Sequence, residues 1–174
     1  KKNFLENKNI SENIIQGLNS INCKRIIIAG SGAEYGINKK FCYEESKPSR
    51  NINELGRQKN LIRKFFFNKI NKKTVIIWAR IFYVYGKNQR AGSLLKKLFE
   101  AKKNGNFLFL KFPFMYNDYI YVKDVVNALV KLKKLKKSEI INICSSKGIS
   151  NYEFVKTFER VNKIKVLNID SMKK

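Results

Sequence analysis

Short runs of consecutive apolar residues alternate along this chain with stretches whose apolar residues recur every three or four positions. That alternation restricts the possible fold more than any other feature. Arg25-Ile-Ile-Ile-Ala29 and Thr74-Val-Ile-Ile-Trp-Ala79 are continuous apolar runs, as expected of strands buried on both faces. Phe107-Leu-Phe-Leu110 reads as a third strand and Ile140-Ile-Asn-Ile143 as a short fourth. Ile10, Ile14 and Leu18 mark one face of a helix ending near Asn19 or Ser20, and a helical pattern runs from about Ile52 to Phe67. Leu94, Leu95 and Leu98 predict a helix after Gly92. Asp124 opens another, with Val125, Val126, Leu129 and Val130, and its acid suits the positive end of the helix dipole. Ser150-Asn-Tyr-Glu153 has the spacing of a capping box, ahead of a helix with Phe154, Phe158 and Val161 on one face. With no internal repeat or low-complexity linker, strand and helix in alternation predict a layered α/β fold with a mainly parallel sheet.

A chain of 174 residues can bury a substantial core as one domain. No apolar run reaches the roughly 18 residues of a membrane span, so no membrane partner is expected. The chain opens on Lys1-Lys2-Asn3 without an initiator Met, which suggests a fragment or a processed product. Cys23, Cys42 and Cys144 are odd in number and far apart, suiting reduced, buried thiols in a cytoplasmic protein. With no His at all, a His-dependent triad is excluded and a metal site is not expected.

The net charge of +24 invites a nucleic-acid reading. Lys, Asn, Ile and Phe are all abundant together, however, a bias that AT-rich coding produces without selection for a partner. The densest run, Lys131-Leu-Lys-Lys-Leu-Lys-Lys137, is expected at the end of a helix, as a solvated face that complements the dipole. Nucleic acid is therefore not the expected partner, although a basic surface would attract polyanionic ligands.

Gly30-Ser-Gly32-Ala-Glu-Tyr-Gly36 follows a strand and superficially looks like a dinucleotide-binding loop. Such a loop should lead into an apolar-faced helix and a second strand. Here Asn38-Lys-Lys40, Glu44-Glu45 and Pro48 follow, which read as a loop.

With the neighbouring blocks included, the chain resembles the nucleotide-sugar epimerase/dehydratase branch of the extended short-chain dehydrogenase/reductase family. The resemblance rests on Ser31-Gly-Ala-Glu-Tyr35-Gly36, on Leu55-Gly56-Arg-Gln-Lys59 after Pro48, and on Arg80-Ile-Phe82-Tyr83-Val-Tyr85-Gly86. It continues through Asp118-Tyr119-Ile-Tyr-Val122-Lys-Asp124, and then Asn142-Ile143 with Ser150. Each block is weak alone, but the ordered set from Ile14 to Phe158 is specific.

The resemblance implies a Rossmann-like parallel sheet, partial because the first βαβ unit with the Gly-x-x-Gly-x-x-Gly loop is missing, with part of a small C-terminal substrate-binding region. Residues 1–174 then form a single partial NAD(P)-binding domain, with 87–120 and 145–174 contributing to the substrate region. It implies NAD or NADP as cofactor in the complete protein, a nucleoside-diphosphate sugar as substrate, and a homodimer using the helix that carries Lys59. In the family a tyrosine exchanges a proton with the sugar while hydride passes to or from nicotinamide. By position, Ser31 is the hydroxyl that binds the reacting oxygen, and Lys59 is the cation that favours the phenolate and holds the cofactor ribose. Tyr83 and Arg90 are the candidates for substrate contact. The tyrosine position itself holds Leu55, which has no ionisable proton, and Tyr35 matches a position that is usually structural. Two alternatives to a fragment of such an enzyme stay open. One is a non-catalytic, degenerate relative, and the other is a basic nucleic-acid-binding protein.

Overall fold

A computed structural model describes residues 2–37 and 41–168. The chain divides into two compact units, Lys1–Phe82 with Val125–Ile143, and Tyr83–Asp124 with Cys144–Lys174. Each is α/β.

The first unit is built on a three-stranded parallel sheet in which β2 (Val75–Ile81) lies between β1 (Arg25–Ser31) and β5 (Glu139–Ile143). Ile28 pairs with Trp78, and Trp78 with Ile140. The central strand is the most apolar and the most buried, with Ile77, Trp78 and Ala79 fully enclosed. Helices α1 (Lys2–Ser20) and α2 (Glu54–Lys69) pack with Ile76 and Trp78 through Ile15, Phe66 and Ile70. The apolar runs of Arg25–Ala29 and Ile140–Ile143 fall inside β1 and β5, that of Thr74–Ala79 overlaps β2 from Val75, and the helical patterns of this unit match α1 and, from Glu54, α2.

The second unit holds β3 (Tyr83–Tyr85), β4 (Tyr116–Tyr121) and β6 (Gly148–Ser150), with β4 parallel to β3 and antiparallel to β6. Helices α3 (Leu94–Asn104) and α5 (Asn151–Asn162) close a core of Leu98, Ala101, Val155 and Phe158 with Leu110, Val166 and Leu167. Ser150 makes the predicted capping box with Glu153. Phe154 stacks on Tyr119 at 4.2 Å and meets Tyr85 edge-on. Glu159, nearly buried, accepts from the amides of Val166 and Leu167 and from Lys156.

Four expectations need correction, the first being the buried thiols, since Cys23, Cys42 and Cys144 are each only partly buried. Phe107–Leu110 is not a strand, because its pairing is a single bridge between Leu108 and Leu167. Phe107 and Phe109 turn outward, both about two-thirds exposed. α4 (Val122–Leu132) begins two residues before Asp124, directly from β4, so no loop separates strand from helix. It also ends at Leu132, where turns close from Lys134 to Lys131 and from Leu135 to Leu132. Most of the lysine run therefore lies beyond the helix. Asn38-Lys-Lys40, read as loop, lies outside the described residues.

Candidate active site at the carboxyl end of the first sheet

Ser31 is the last residue of β1 and the N-cap of a single 3-10 turn, Gly32–Tyr35. Its hydroxyl accepts from the Ala33 amide at 3.2 Å, and its own amide donates to Glu34 at 2.9 Å, so both arms of a capping box are made. The hydroxyl oxygen is used here as an acceptor, which leaves its proton for a ligand.

Glu34 anchors this turn from inside the protein. It has no exposed surface, and an unpaired buried carboxylate is among the costliest groups to place in an apolar interior. The surroundings saturate it. One oxygen accepts from the Ser31 amide and from Trp78 Nε1 at 2.8 Å, and the other from Arg80 Nε at 3.0 Å. Arg63 Nε lies 3.4 Å away. Burial lowers the Arg63 pKa, and the nearby Arg80 charge adds to this, while Glu34 opposes both. Arg80 also donates to the Tyr35 hydroxyl at 2.7 Å and lies over the Tyr35 ring. Tyr35 donates in turn to Asn142. Burial raises the Tyr35 pKa, only partly countered by Arg80, so this phenol is a neutral structural bridge. The family-based reading of Tyr35 as structural agrees with these contacts.

α2 is brought against the turn by an absent side chain. Asn53 caps the helix by accepting from the Gly56 amide, and a Cβ on Gly56 would stand 2.1 Å from the Ala33 carbonyl oxygen. That backbone contact carries Lys59, one turn further on, to the end of β1. There its ammonium donates to the Ala29 carbonyl at 2.9 Å, two residues before Ser31. Ser31 and Lys59 thus meet the carboxyl end of the same strand. Leu55, in the first turn of α2, is 53% exposed. Tyr43 is exposed too.

Tyr83 and Arg90 belong to the second unit. Tyr83 lies in β3, is 55% exposed and packs on Tyr119 at 5.9 Å. Arg90 is exposed in a turn that the Gln89 side chain ties to the Val84 carbonyl.

The glycine cluster is filled rather than open. A Cβ on Gly30 would meet Trp78 Nε1 at 2.3 Å and Glu34 at 2.7 Å, and one on Gly36 would meet Ser49 and Asn51. These glycines admit protein side chains and backbone, and they leave no cradle for a pyrophosphate. A half-buried ammonium and a hydroxyl at the carboxyl end of a parallel strand do fit the ribose and reacting end of a nicotinamide cofactor. Sequence reasoning missed Glu34, Trp78 and Arg63 as the support of this site. The available signal was Arg80, a charge at the end of a fully apolar run, which demands a buried partner. Among the described residues no cluster of His, Cys, Asp and Glu could hold a metal ion.

A model of the NAD dependent epimerase/dehydratase family matches residues 2–144. A UDP-glucose 4-epimerase of Lactobacillus helveticus is 26% identical over 175 aligned residues, covering 88% of this chain and 53% of that protein. Among solved structures, MoeE5 in complex with UDP-glucose and NAD superposes with a TM-score of 0.82 at 20% identity, covering 90% of this chain and 54% of that one. UDP-N-acetylglucosamine 4-epimerase from Bacillus cereus gives a TM-score of 0.81 at 20% identity, covering 93% and 57%. The chain spans about half the length of these relatives. The order of its motifs, the parallel sheet with Lys59 at its carboxyl end, and the family match over most of its length lead to one conclusion. This chain belongs to the NAD dependent epimerase/dehydratase family.

Proposed function

We propose that this chain is part of an enzyme that acts on a nucleoside-diphosphate sugar by hydride exchange with a bound nicotinamide dinucleotide. The observation that carries this reading is the Lys59 ammonium, 2.9 Å from the Ala29 carbonyl at the end of β1 that presents Ser31. When bound, the nicotinamide supplies or receives the hydride. In this reading Lys59 donates to the ribose hydroxyls, and Ser31 donates to the reacting oxygen of the sugar. Tyr83 and Arg90 are the candidates for substrate contact, and 87–120 and 145–174 are the segments that contribute to the substrate region. The relatives whose names include UDP-glucose make it the first substrate to try. Titration of NADH, followed by its fluorescence, tests the cofactor role directly. Lys59→Met is expected to weaken binding about tenfold, the scale of one charge-assisted contact. Equal affinity for the two proteins removes Lys59 from the site.

Leu55 favours a second reading, in which the fold is kept and the proton-transfer step is lost. General acid-base catalysis contributes about 10²–10⁴-fold, so an otherwise intact site should gain on that scale from Leu55→Tyr. Strong turnover of UDP-glucose before the substitution, unchanged after it, excludes the degenerate reading.

A homodimer through α1 and α2 is part of the same proposal. Ile10, Ile14 and Leu61 are about half exposed on these helices, beside a groove of about 260 Å³ lined by Ser11, Ile62 and Phe65. Sedimentation of a Leu61→Glu variant as a monomer, against a dimeric parent, supports the pairing. A monomeric parent ends it.

A further inference from the structure

The sheet of the first unit carries cations at both of its ends. At the carboxyl end Arg80 and Arg63 pair with Glu34, and Lys59 donates to the Ala29 carbonyl. At the amino end the turns that lead into three parallel strands come together. Asn22–Arg25 leads into β1, Asn71–Thr74 into β2, and Lys133–Ser138 into β5. Eight of these fourteen residues are Lys or Arg, against 37 cations in 174 residues for the chain, and a single carboxylate, Glu139, the exposed first residue of β5, adjoins them. All eight are exposed, and none ion-pairs among the described residues. One or two cations per helix end would satisfy the dipoles of α1, α2 and α4. Eight exceed that need.

The three turns are also held in one frame. Thr74 Oγ1 donates to the Cys23 carbonyl at 2.6 Å, and the Val75 amide to Lys24 at 2.9 Å. The Asn71 amide donates to the Asn19 side chain at 2.8 Å, the Ile76 amide to Ser138 Oγ at 2.9 Å, and the Arg25 guanidinium to the Lys133 carbonyl. Neighbouring strands are about 4.8 Å apart, so the charges stand on a small fixed platform.

We propose that this amino edge is a docking face for the anionic surface of a phospholipid bilayer. Seven of its eight cations are lysines, compact hydrated charges that suit a diffuse layer of headgroups. The turns carry no aromatic residue on which a base could stack. Ile21, 72% exposed at the end of α1, offers an aliphatic contact beside the charges. Such docking requires no membrane-spanning helix, and none is present among the described residues. At about 3.3 Å per residue, β1 puts this face roughly 20 Å from Ser31 and about 13 Å from Ala29, where the Lys59 ammonium is held. The expectation of no membrane partner rested on the lack of a span, and a peripheral face is a different property. It is also independent of the chemistry proposed above.

Flotation with vesicles of phosphatidylcholine, with and without phosphatidylglycerol, at physiological ionic strength tests the face. The protein is expected to float only with the anionic vesicles. Each lysine contributes roughly fivefold to such binding, so Lys133→Gln, Lys134→Gln, Lys136→Gln and Lys137→Gln together should weaken it by a hundredfold or more. The same change at Lys96, Lys97, Lys102 and Lys103 on α3 removes equal charge and should cost little. If the first variant unfolds, Lys72→Gln and Lys136→Gln singly should each cost about fivefold. Equal losses in the two quadruple variants, no binding to anionic vesicles, or tighter binding to duplex DNA through the same lysines overturns the proposal.

Discussion

Glu34 is a single carboxylate on which the geometry of one end of the sheet depends. Its acceptor sites are taken by the Ser31 amide, Trp78 and Arg80, with Arg63 close by. Removing one partner of a buried pair leaves an uncompensated charge, which is worse than removing both. Glu34→Gln keeps the size but leaves Arg80 without its counter-ion, so chemical denaturation should show a loss of about 3–5 kcal/mol. Glu34→Gln combined with Arg80→Met should recover part of that loss. A single variant as stable as the parent would mean that the arginines find other partners. None of this network could be read from sequence spacing, because Glu34 and Arg80 are 46 positions apart. Their meeting depends on a register that pairs Gly30 with Arg80, and on the missing Cβ of Gly30 that admits Trp78. The placement of Ser31 and Lys59 near one strand end was legible for a different reason, since each lies at a fixed offset from glycines of a family motif whose tyrosine position is taken by Leu55.

Among elements, α2 shows why helix propensity does not decide a residue. Ala is favoured over Gly in a helix interior by about 1 kcal/mol. Gly17, in α1, has open space where its Cβ would be, so Gly17→Ala should stabilise by roughly that amount. Gly56→Ala should do the reverse, because the Ala33 carbonyl occupies the space and α2 must retreat from the turn. A thermal shift of opposite sign in the two variants is the expected result, and Gly56→Ala should also weaken NADH binding by displacing Lys59. In the second unit, α5 is tied to the chain beyond it by Glu159. Burial alone pushes that carboxyl pKa up, but the Lys156 contact and the Leu167 and Val166 amides outweigh it, and the net shift is downward. A folded pKa below the unfolded one gives stability that is complete above the unfolded carboxylate pKa of about 4.3 and is lost as pH falls through the folded value. Amide exchange at Val166 and Leu167 should therefore accelerate in acid, and Glu159→Gln should remove most of that pH dependence at a cost of about 2 kcal/mol. The elements that were legible beforehand are those with a continuous apolar run or a clear helical face. β3 and β6 were not, because they have three residues each, and β4 was not, because its apolar positions are mostly tyrosines that serve both a sheet and an aromatic cluster.

For the whole molecule the dominant long-range fact is a net charge of +24 on 174 residues. Composition showed that charge at once, but not where it lies, because only the parallel topology gathers the turns before β1, β2 and β5. Repulsion among so many like charges destabilises any compact state. Among the described residues the pairs exposed on both sides are loose, with Lys8–Glu12 at 3.6 Å, Arg57–Glu54 at 3.9 Å and Lys96–Glu100 at 4.0 Å. Exposed pairs of this kind are each worth about 0–1 kcal/mol and are themselves screened by salt. The buried pair of Glu34 and Arg80 is screened much less, since ions do not reach it. Raising potassium chloride from a few millimolar to physiological strength shortens the screening length to about 8 Å. Repulsion then falls more than attraction, and the melting temperature should rise by roughly 2–4 °C for each kcal/mol released. Chloride is the proper salt, because sulfate stabilises folded proteins whatever their charge. Replacing four lysines of Lys133–Lys137 by Gln should raise the low-salt melting temperature and flatten its salt dependence. A melting temperature that falls with chloride would mean instead that the exposed pairs outweigh the repulsion, and that the lysines of the amino edge are too far apart to destabilise the fold.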